Sequence, residues 1–147
     1  MIRCAELRDA SRIAEISVFS KRKNYRQIFH DDKVSFGEIQ VFPLAKNYIE
    51  NPKSLSEIWV YDDDFVKGFI HLDGKLIAEL YVDPFFEHQG IGSALITFAT
   101  KNMGCNHVWC LEKNTNAIRF YNRHGFTSSG MKKINAGTDE YIIELVL

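Results

Sequence analysis

The segment Val82-Asp83-Pro84-Phe85-Phe86-Glu87-His88-Gln89-Gly90-Ile91-Gly92-Ser93 constrains the fold more than any other part of the sequence. Before it, Leu76 to Val82 reads as a strand that Pro84 ends. After it, Ile91, Ala94, Leu95, Phe98 and Ala99 recur at the i, i+3, i+4, i+7, i+8 spacing of an amphipathic helix. A strand, a short loop and a Gly-x-Gly helix start leave backbone N–H groups unpaired at the positive end of a helix dipole, which makes an anion site. Glycine lets the backbone approach a pyrophosphate with no Cβ in the way. The same spacing also fits a helix start that merely tolerates glycine.

Spacing argues against two other nucleotide folds. A dinucleotide site has G-x-G-x-x-G, and Leu95 stands where its third glycine belongs, although Glu112 lies where its ribose-binding acid would be. That fold turns directly from strand to glycine, whereas Asp83 to Gln89 intervene here, and too little chain follows Gly90 for the rest of a doubly wound sheet. Neither Gly90 nor Gly92 opens the G-x-x-x-x-G-K-[ST] of a P-loop.

The remaining order reads as one mixed α+β sheet. Ile2 to Leu7 is a first strand, and Asp9 caps a helix carrying Ala10, Ile13, Ala14 and Ile16. Lys21 to Pro52 has a poor pattern and reads as helical pieces and loops. Ile58 to Tyr61 is a strand that runs into a wet acidic turn, Asp62 to Asp64, and Phe65 to Leu72 is the next. Asp73-Gly74 makes a two-residue hairpin turn, whose central positions need φ > 0. Gly104 stops the amphipathic helix. His107 to Leu111 is a strand, Ala117 to His124 a helix, and Phe126 onwards with Tyr141 to Leu147 a closing hairpin. The order is β-α-α-β-β-β-α-β-α-β-β.

Composition bounds the rest. The 147 residues suit a single domain, 1–147, and a net charge of -1 disfavours nucleic acid as a partner. The three cysteines, Cys4, Cys105 and Cys110, are too few for a disulfide framework. Arg3, Glu6, Arg8 and Asp9 interrupt any leader-like apolar run, and no stretch is long enough to span a membrane, so the expected location is the cytoplasm. Cys105-x-His107-x-x-Cys110 offers three candidate ligands, but Cys110 points off the face used by His107, and no metal is expected.

A second motif meets the first in register. Asn114-Thr115-Asn116-Ala117-Ile118-Arg119-Phe120-Tyr121-Asn122-Arg123-His124-Gly125-Phe126 resembles the N-x-x-A-x-x-(F/L)-Y-x-x-x-G-F signature of the GNAT superfamily of N-acetyltransferases. In that family it follows an (L)-Y-V-x-P-x-x-(Q/R)-x-x-G-x-G/A segment by a helix and a strand, as it does here between Leu80 and Phe126. The resemblance implies a splayed strand pair, Leu76–Val82 and His107–Leu111, that grips the pantetheine arm of acetyl-CoA. Backbone groups of Leu80, Tyr81 and Val82 would bond the arm, and His88, Gln89, Gly90, Ile91, Gly92 and Ser93 would cradle the pyrophosphate. Asn114 would bond the arm, with Ala117, Phe120 and Tyr121 along its path. Arg123 would reach nucleotide phosphates or lie on a solvated face. Glu87 stands where the family often has Gln or Arg, and its charge implies that it points outward.

The implied reaction moves an acetyl group from acetyl-CoA, as co-substrate, to a primary amine of a small molecule or protein, without covalent intermediate. A homodimer is compatible with this reading. Tyr121 suits proton donation to the departing thiolate, since a phenol of pKa ~10 stays protonated near neutrality; it equally suits packing on Phe126. The turn register sets Leu72 opposite Lys75, Ile70 opposite Ile77 and Gly68 opposite Glu79. Glu79 then shares a face with Ile77, Tyr81 and Ile70, where burial would raise its pKa toward that of a useful base. It could instead pair with a Lys or Arg. On the same register His71 faces away from Glu79. In this family the acceptor is set by Lys21–Pro52 and the closing hairpin, where Tyr25, Phe29, Phe36 and Phe42 wall a pocket or serve as core. Two other classes remain: an idle acyl-CoA-binding module, and a small nucleotide-binding oxidoreductase.

Overall fold

The computed structural model describes all residues from Met1 to Leu147. Strands Ile2–Cys4 (β1), Ile58–Asp63 (β2), Phe65–Asp73 (β3), Leu76–Val82 (β4), His107–Leu111 (β5), Thr127–Ile134 (β6) and Tyr141–Val146 (β7) form one sheet of order β1-β2-β3-β4-β5-β7-β6. Helices Ala10–Phe29 (α1), Val41–Glu50 (α2), Ile91–Asn102 (α3) and Thr115–Arg123 (α4) cover it, so the element order is the one read from the sequence. Only the β4–β5 junction is parallel.

Each face of the sheet has its own core. Ile13, Ala14 and Ile16 of α1 and Ala45 and Tyr48 of α2 pack with Ile58, Val60 and Phe69 on one face. Leu95, Ile96 and Ala99 of α3 and Tyr121 of α4 pack with Ile70, Ile77, Val108 and Leu145 on the other. Burying both faces is what lets the central strands carry near-continuous apolar runs.

Two local readings are corrected. The first strand stops at Cys4 rather than Leu7, because Leu7–Asp9 tightens into a 3-10 turn. Asp9 does not cap α1 with its side chain. Its carboxylate accepts from Arg3 Nη1 at 2.8 Å, from Arg3 Nη2 at 3.0 Å and from the Glu6 N–H at 2.8 Å. The span from Lys21 to Pro52 is helical pieces and loops: α1 runs unbroken to Phe29, where His30 ends it in the left-handed region at φ 53°, a helical turn Lys33–Glu38 follows, and then α2.

The register between β3 and β4 also departs from expectation. Asp73 stays in β3, so the two turn residues are Gly74, at φ 59°, and Lys75, rather than Asp73 and Gly74. Asp73 pairs with Leu76 and Leu72 with Ile77, but His71 pairs with Glu79, Ile70 with Leu80 and Gly68 with Val82. Ala78 is therefore an extra residue, a β-bulge, and a one-residue insertion sends every later side chain to the opposite face. Glu79 shares its face with Tyr81 and His71, over α1 and α2. Ile77 and Ile70 lie on the other face, in the α3 core.

β4 and β5 then part company. They pair only at Leu76–His107 and Ile77–Val108, whereas β5 pairs with β7 along all of His107–Leu111. Beyond Ile77 the sheet is split, and one edge of Leu80 to Val82 faces the opening.

Candidate active site

The wedge between β4 and β5 opens into a cavity of about 470 Å³, lined among others by Leu80, Tyr81, Val82, Gly92, Asn114 and Tyr121. Its floor and walls come from both sequence motifs, so the two segments separated by α3 and β5 form one site.

The loop after β4 presents free backbone donors that could hold an anion. Asp83 anchors it: one carboxylate oxygen accepts from the Phe85 N–H at 2.9 Å, and the other meets Arg12 of α1 at 2.7 Å. His88 and Gly90 both take positive φ, 62° and 82°, and turn the chain into α3. None of the backbone N–H groups from His88 to Ser93 donates to an acceptor in the protein; the first bond of α3 is Ala94 N–H to Gly90 O at 3.0 Å. A row of free donors at a helix start is the form a pyrophosphate fits. The approach at Gly92 is close: a Cβ there would lie 3.2 Å from Cε2 of Phe120 and press on its ring. Gln89 and His88 are exposed, and Gln89 does not line the cavity.

Charge at the mouth is mixed. Lys23, Arg119 and Arg123 line the cavity with Glu87. Glu87 does not point away from it, as the sequence implied; it faces Lys23, its Oε2 2.5 Å from Nζ, and so is neutralised where it stands.

On α4, the Asn114 side-chain oxygen accepts from the Ala117 N–H at 3.3 Å, which caps the helix and leaves the amide N–H₂ unspent. Phe120 packs edge-on to Tyr121 with centroids 5.2 Å apart and tilts against His124 at 4.6 Å. His124 joins α4 to α3: Nδ1 lies 2.8 Å from Phe120 O and must donate to it, and Nε2 lies 3.1 Å from Ser93 Oγ. Tyr121 is buried, edge-on to Phe126 at 5.6 Å, and still lines the cavity. Burial raises its phenol pKa, with smaller contributions from Cys110 and Tyr25, so the proton is firmly held.

Glu79 lies on the α1 side of β4, in company that the sequence reading did not provide. His71 Nδ1 is 3.3 Å from Oε1, and Lys21 Nζ is 3.5 Å from Oε2. Burial pushes its pKa up, but the hydrogen bond from His71 and the charge of Lys21 outweigh it, and the carboxyl sits below its usual range. The expected upward shift is thus reversed, and the ion-paired alternative describes the resting geometry. Next to it, Tyr25 and Tyr81 join hydroxyls at 2.8 Å. Burial raises both phenols, and the Glu79 charge raises each further. Burial and the same carboxylate push Tyr48 up to about 12. Phe36 and Phe42, the other candidate wall residues, are exposed, while Phe29 packs edge-on to Tyr25.

Ser20, Lys23 and Asn24, which line the cavity, and Lys21, which meets Glu79, are the residues that the sequence did not yield. Continuing the helical spacing of Ile13, Ile16 and Ser17 past Ser20 would have found them, since Ser20, Lys23 and Asn24 recur at that interval. The cysteines form no site: Cys105 is buried with Sγ 3.7 Å from Gly74 O, and no group of three or more His, Cys, Asp or Glu side chains gathers around a point. No helix is long and apolar enough to cross a membrane.

Comparison with known proteins agrees with this architecture. The chain is 31% identical over 84 residues to the peptidyl-lysine N-acetyltransferase YjaB of Salmonella typhimurium, a match covering 57% of this chain and 58% of that protein. The chain thus spans little more than half the length of the curated relatives it matches. The fold superposes on the PaiA N-acetyltransferase of Thermoplasma acidophilum in complex with coenzyme A at a TM-score of 0.73 and 22% identity, covering 100% of this chain and 98% of that one. It superposes on an N-acetyltransferase of Staphylococcus aureus Mu50 at a TM-score of 0.76 and 16% identity, covering both chains fully. The family model of the acetyltransferase (GNAT) domain matches residues 54–128, half of the chain, and with both motifs folded into one wedge the chain belongs to the GNAT acetyltransferase family.

Proposed function

We propose that this chain transfers the acetyl group of acetyl-CoA to a primary amine by direct attack. The observation that carries this reading is the row of unpaired N–H groups, His88 to Ser93, at one end of a split sheet whose wedge ends beneath Tyr121. The pyrophosphate lies on that row, and the arm runs between Leu80–Val82 and α4. Gly90, Ile91, Gly92 and Ser93 line the phosphate end with Ala117 and Phe120 beside the arm. Acetyl-CoA supplies an activated thioester.

The chain's own groups meet three demands. Glu79, directly or through a water, takes the proton that a lysine-like amine of pKa ~10.4 must lose before it attacks. A backbone N–H of Tyr81 or Val82 donates to the developing oxyanion. As the C–N bond forms and the C–S bond breaks, Tyr121 gives its phenolic proton to the leaving sulfur and recovers one from solvent. The acceptor class with most support is a lysine ε-amine of a protein or peptide, because the matched curated relatives are peptidyl-lysine N-acetyltransferases.

The test has two parts. Acetyl-CoA at about 100 times its Kd should stabilise the fold by about 2.7 kcal/mol, read as a higher Tm, while NAD should leave Tm unchanged. Free CoA should then be released with lysine-containing peptides in an amine panel. A Tm shift with no turnover on any amine would make the chain an acyl-CoA-binding module instead.

A further inference from the structure

Glu79 is held between two cations of different kinds. Lys21 reaches it from α1 with its Nζ 3.5 Å from Oε2. His71, its cross-strand partner on β3, changes charge within the physiological range. His71 is itself bracketed: Nδ1 lies 3.3 Å from Glu79 Oε1, and Nε2 lies 3.2 Å from Oε2 of Glu57, the last residue of the 3-10 turn Pro52–Glu57. The ring is half-buried and Glu57 is exposed. The pairing exists only because Ala78 bulges and brings Glu79 to the His71 face.

We propose that His71 is a positioning residue for the transfer, holding Glu79 as a doubly paired, weakly basic carboxylate while protonated and freeing it to accept the amine's proton once neutral. The inference rests on the reading of Glu79 as proton acceptor. When His71⁺ and Lys21⁺ both face the carboxylate, its lone pairs are spent on charged donors. Loss of one proton from His71 to solvent removes one of the two charges that face Glu79. The other groups facing this pair are Tyr25 of α1, Tyr48 of α2 and Tyr81 of β4, phenols that burial and the Glu79 charge keep neutral well above pH 8. Hydrogen bonds to Glu79 and Glu57 hold the His71 pKa above its ordinary value against the opposing effect of burial.

The pH dependence of kcat/KM tests this. A wild-type enzyme in which Glu79 takes the proton of a bound, protonated amine should gain up to about tenfold per pH unit below the titration of His71 and level off above it, giving one steep limb. His71→Gln keeps a hydrogen-bond donor without a titrating charge, and should lose this limb. Glu57→Gln, on an exposed side chain, should move the steep limb to lower pH, because it removes one of the carboxylates that hold the ring protonated. An NMR titration of the His71 ring should show the same downward move in Glu57→Gln. A steep limb that persists unchanged in both variants overturns the inference, provided Glu79→Gln abolishes turnover. If Glu79→Gln keeps full activity and the wild-type profile, the reading of Glu79 as base has failed instead.

Discussion

The phenol of Tyr121 has no hydrogen-bond partner in the protein, although its ring is buried between Phe120 and Phe126 and the side chain borders the cavity. The ring's packing and the hydroxyl's exposure to the wedge are separable, and substitution separates them. Tyr121→Phe keeps the ring and removes the proton donor; acetyl-CoA should bind with unchanged Kd while kcat falls by roughly 10²–10⁴. An unchanged kcat would leave Tyr121 with packing alone. Glu87 shows how one residue can be read correctly in kind and wrongly in place. Its charge conflicts with a phosphate site, as the sequence implies, but the structure resolves the conflict with Lys23 rather than by turning Glu87 away. Lys23→Ala should therefore weaken acetyl-CoA binding by about tenfold, near 1.4 kcal/mol, through the bare carboxylate it leaves. Adding Glu87→Gln should restore most of the affinity. Losses that simply add in the double variant would deny the coupling.

The elements were legible wherever local chemistry decided them. The glycine of the turn at Gly74, the apolar stripe of α3 and the Asn114 cap of α4 each follow from residues within one turn or strand. What escaped was decided by distant contacts. Ala78 carries no bulge signal of its own, and the bulge is settled by how Ile77 and Leu80 both reach the α3 core. Without it, turn geometry alone places Glu79 on the wrong face and hides its contact with His71. The length of α1 escaped for a related reason: Lys21, Lys23 and Tyr25 look like a broken pattern until their partners Glu79, Glu87 and Tyr81 are in place. The fit of α3 against α4 is narrow at Gly92, and Gly92→Val should drive the Phe120 ring into the arm's path. Circular dichroism should stay native while the acetyl-CoA-induced Tm rise disappears. A retained rise would show that the helix start tolerates a side chain there.

At the scale of the molecule, the paired charges under the sheet link stability to pH. His71 titrates higher in the fold than in the unfolded chain, so its contribution is complete below about pH 6.5 and fades as pH rises through the folded value. Glu79 titrates lower, so its contribution is complete above about pH 4.5 and fades as pH falls through its depressed value. Both contribute fully only in the mildly acidic window between. Urea midpoints across pH 5–9 should decline on the alkaline side, and His71→Gln should flatten that decline; an identical slope in the variant would remove the linkage. Across its middle, the sheet is tied by two rungs, Leu76 to His107 and Ile77 to Val108, where even the short β1 ties to β2 by three. Mechanically this is the line along which the molecule would tear. A ligand seated in the wedge would bridge the two halves, and binding there would then also be cohesion of the whole chain.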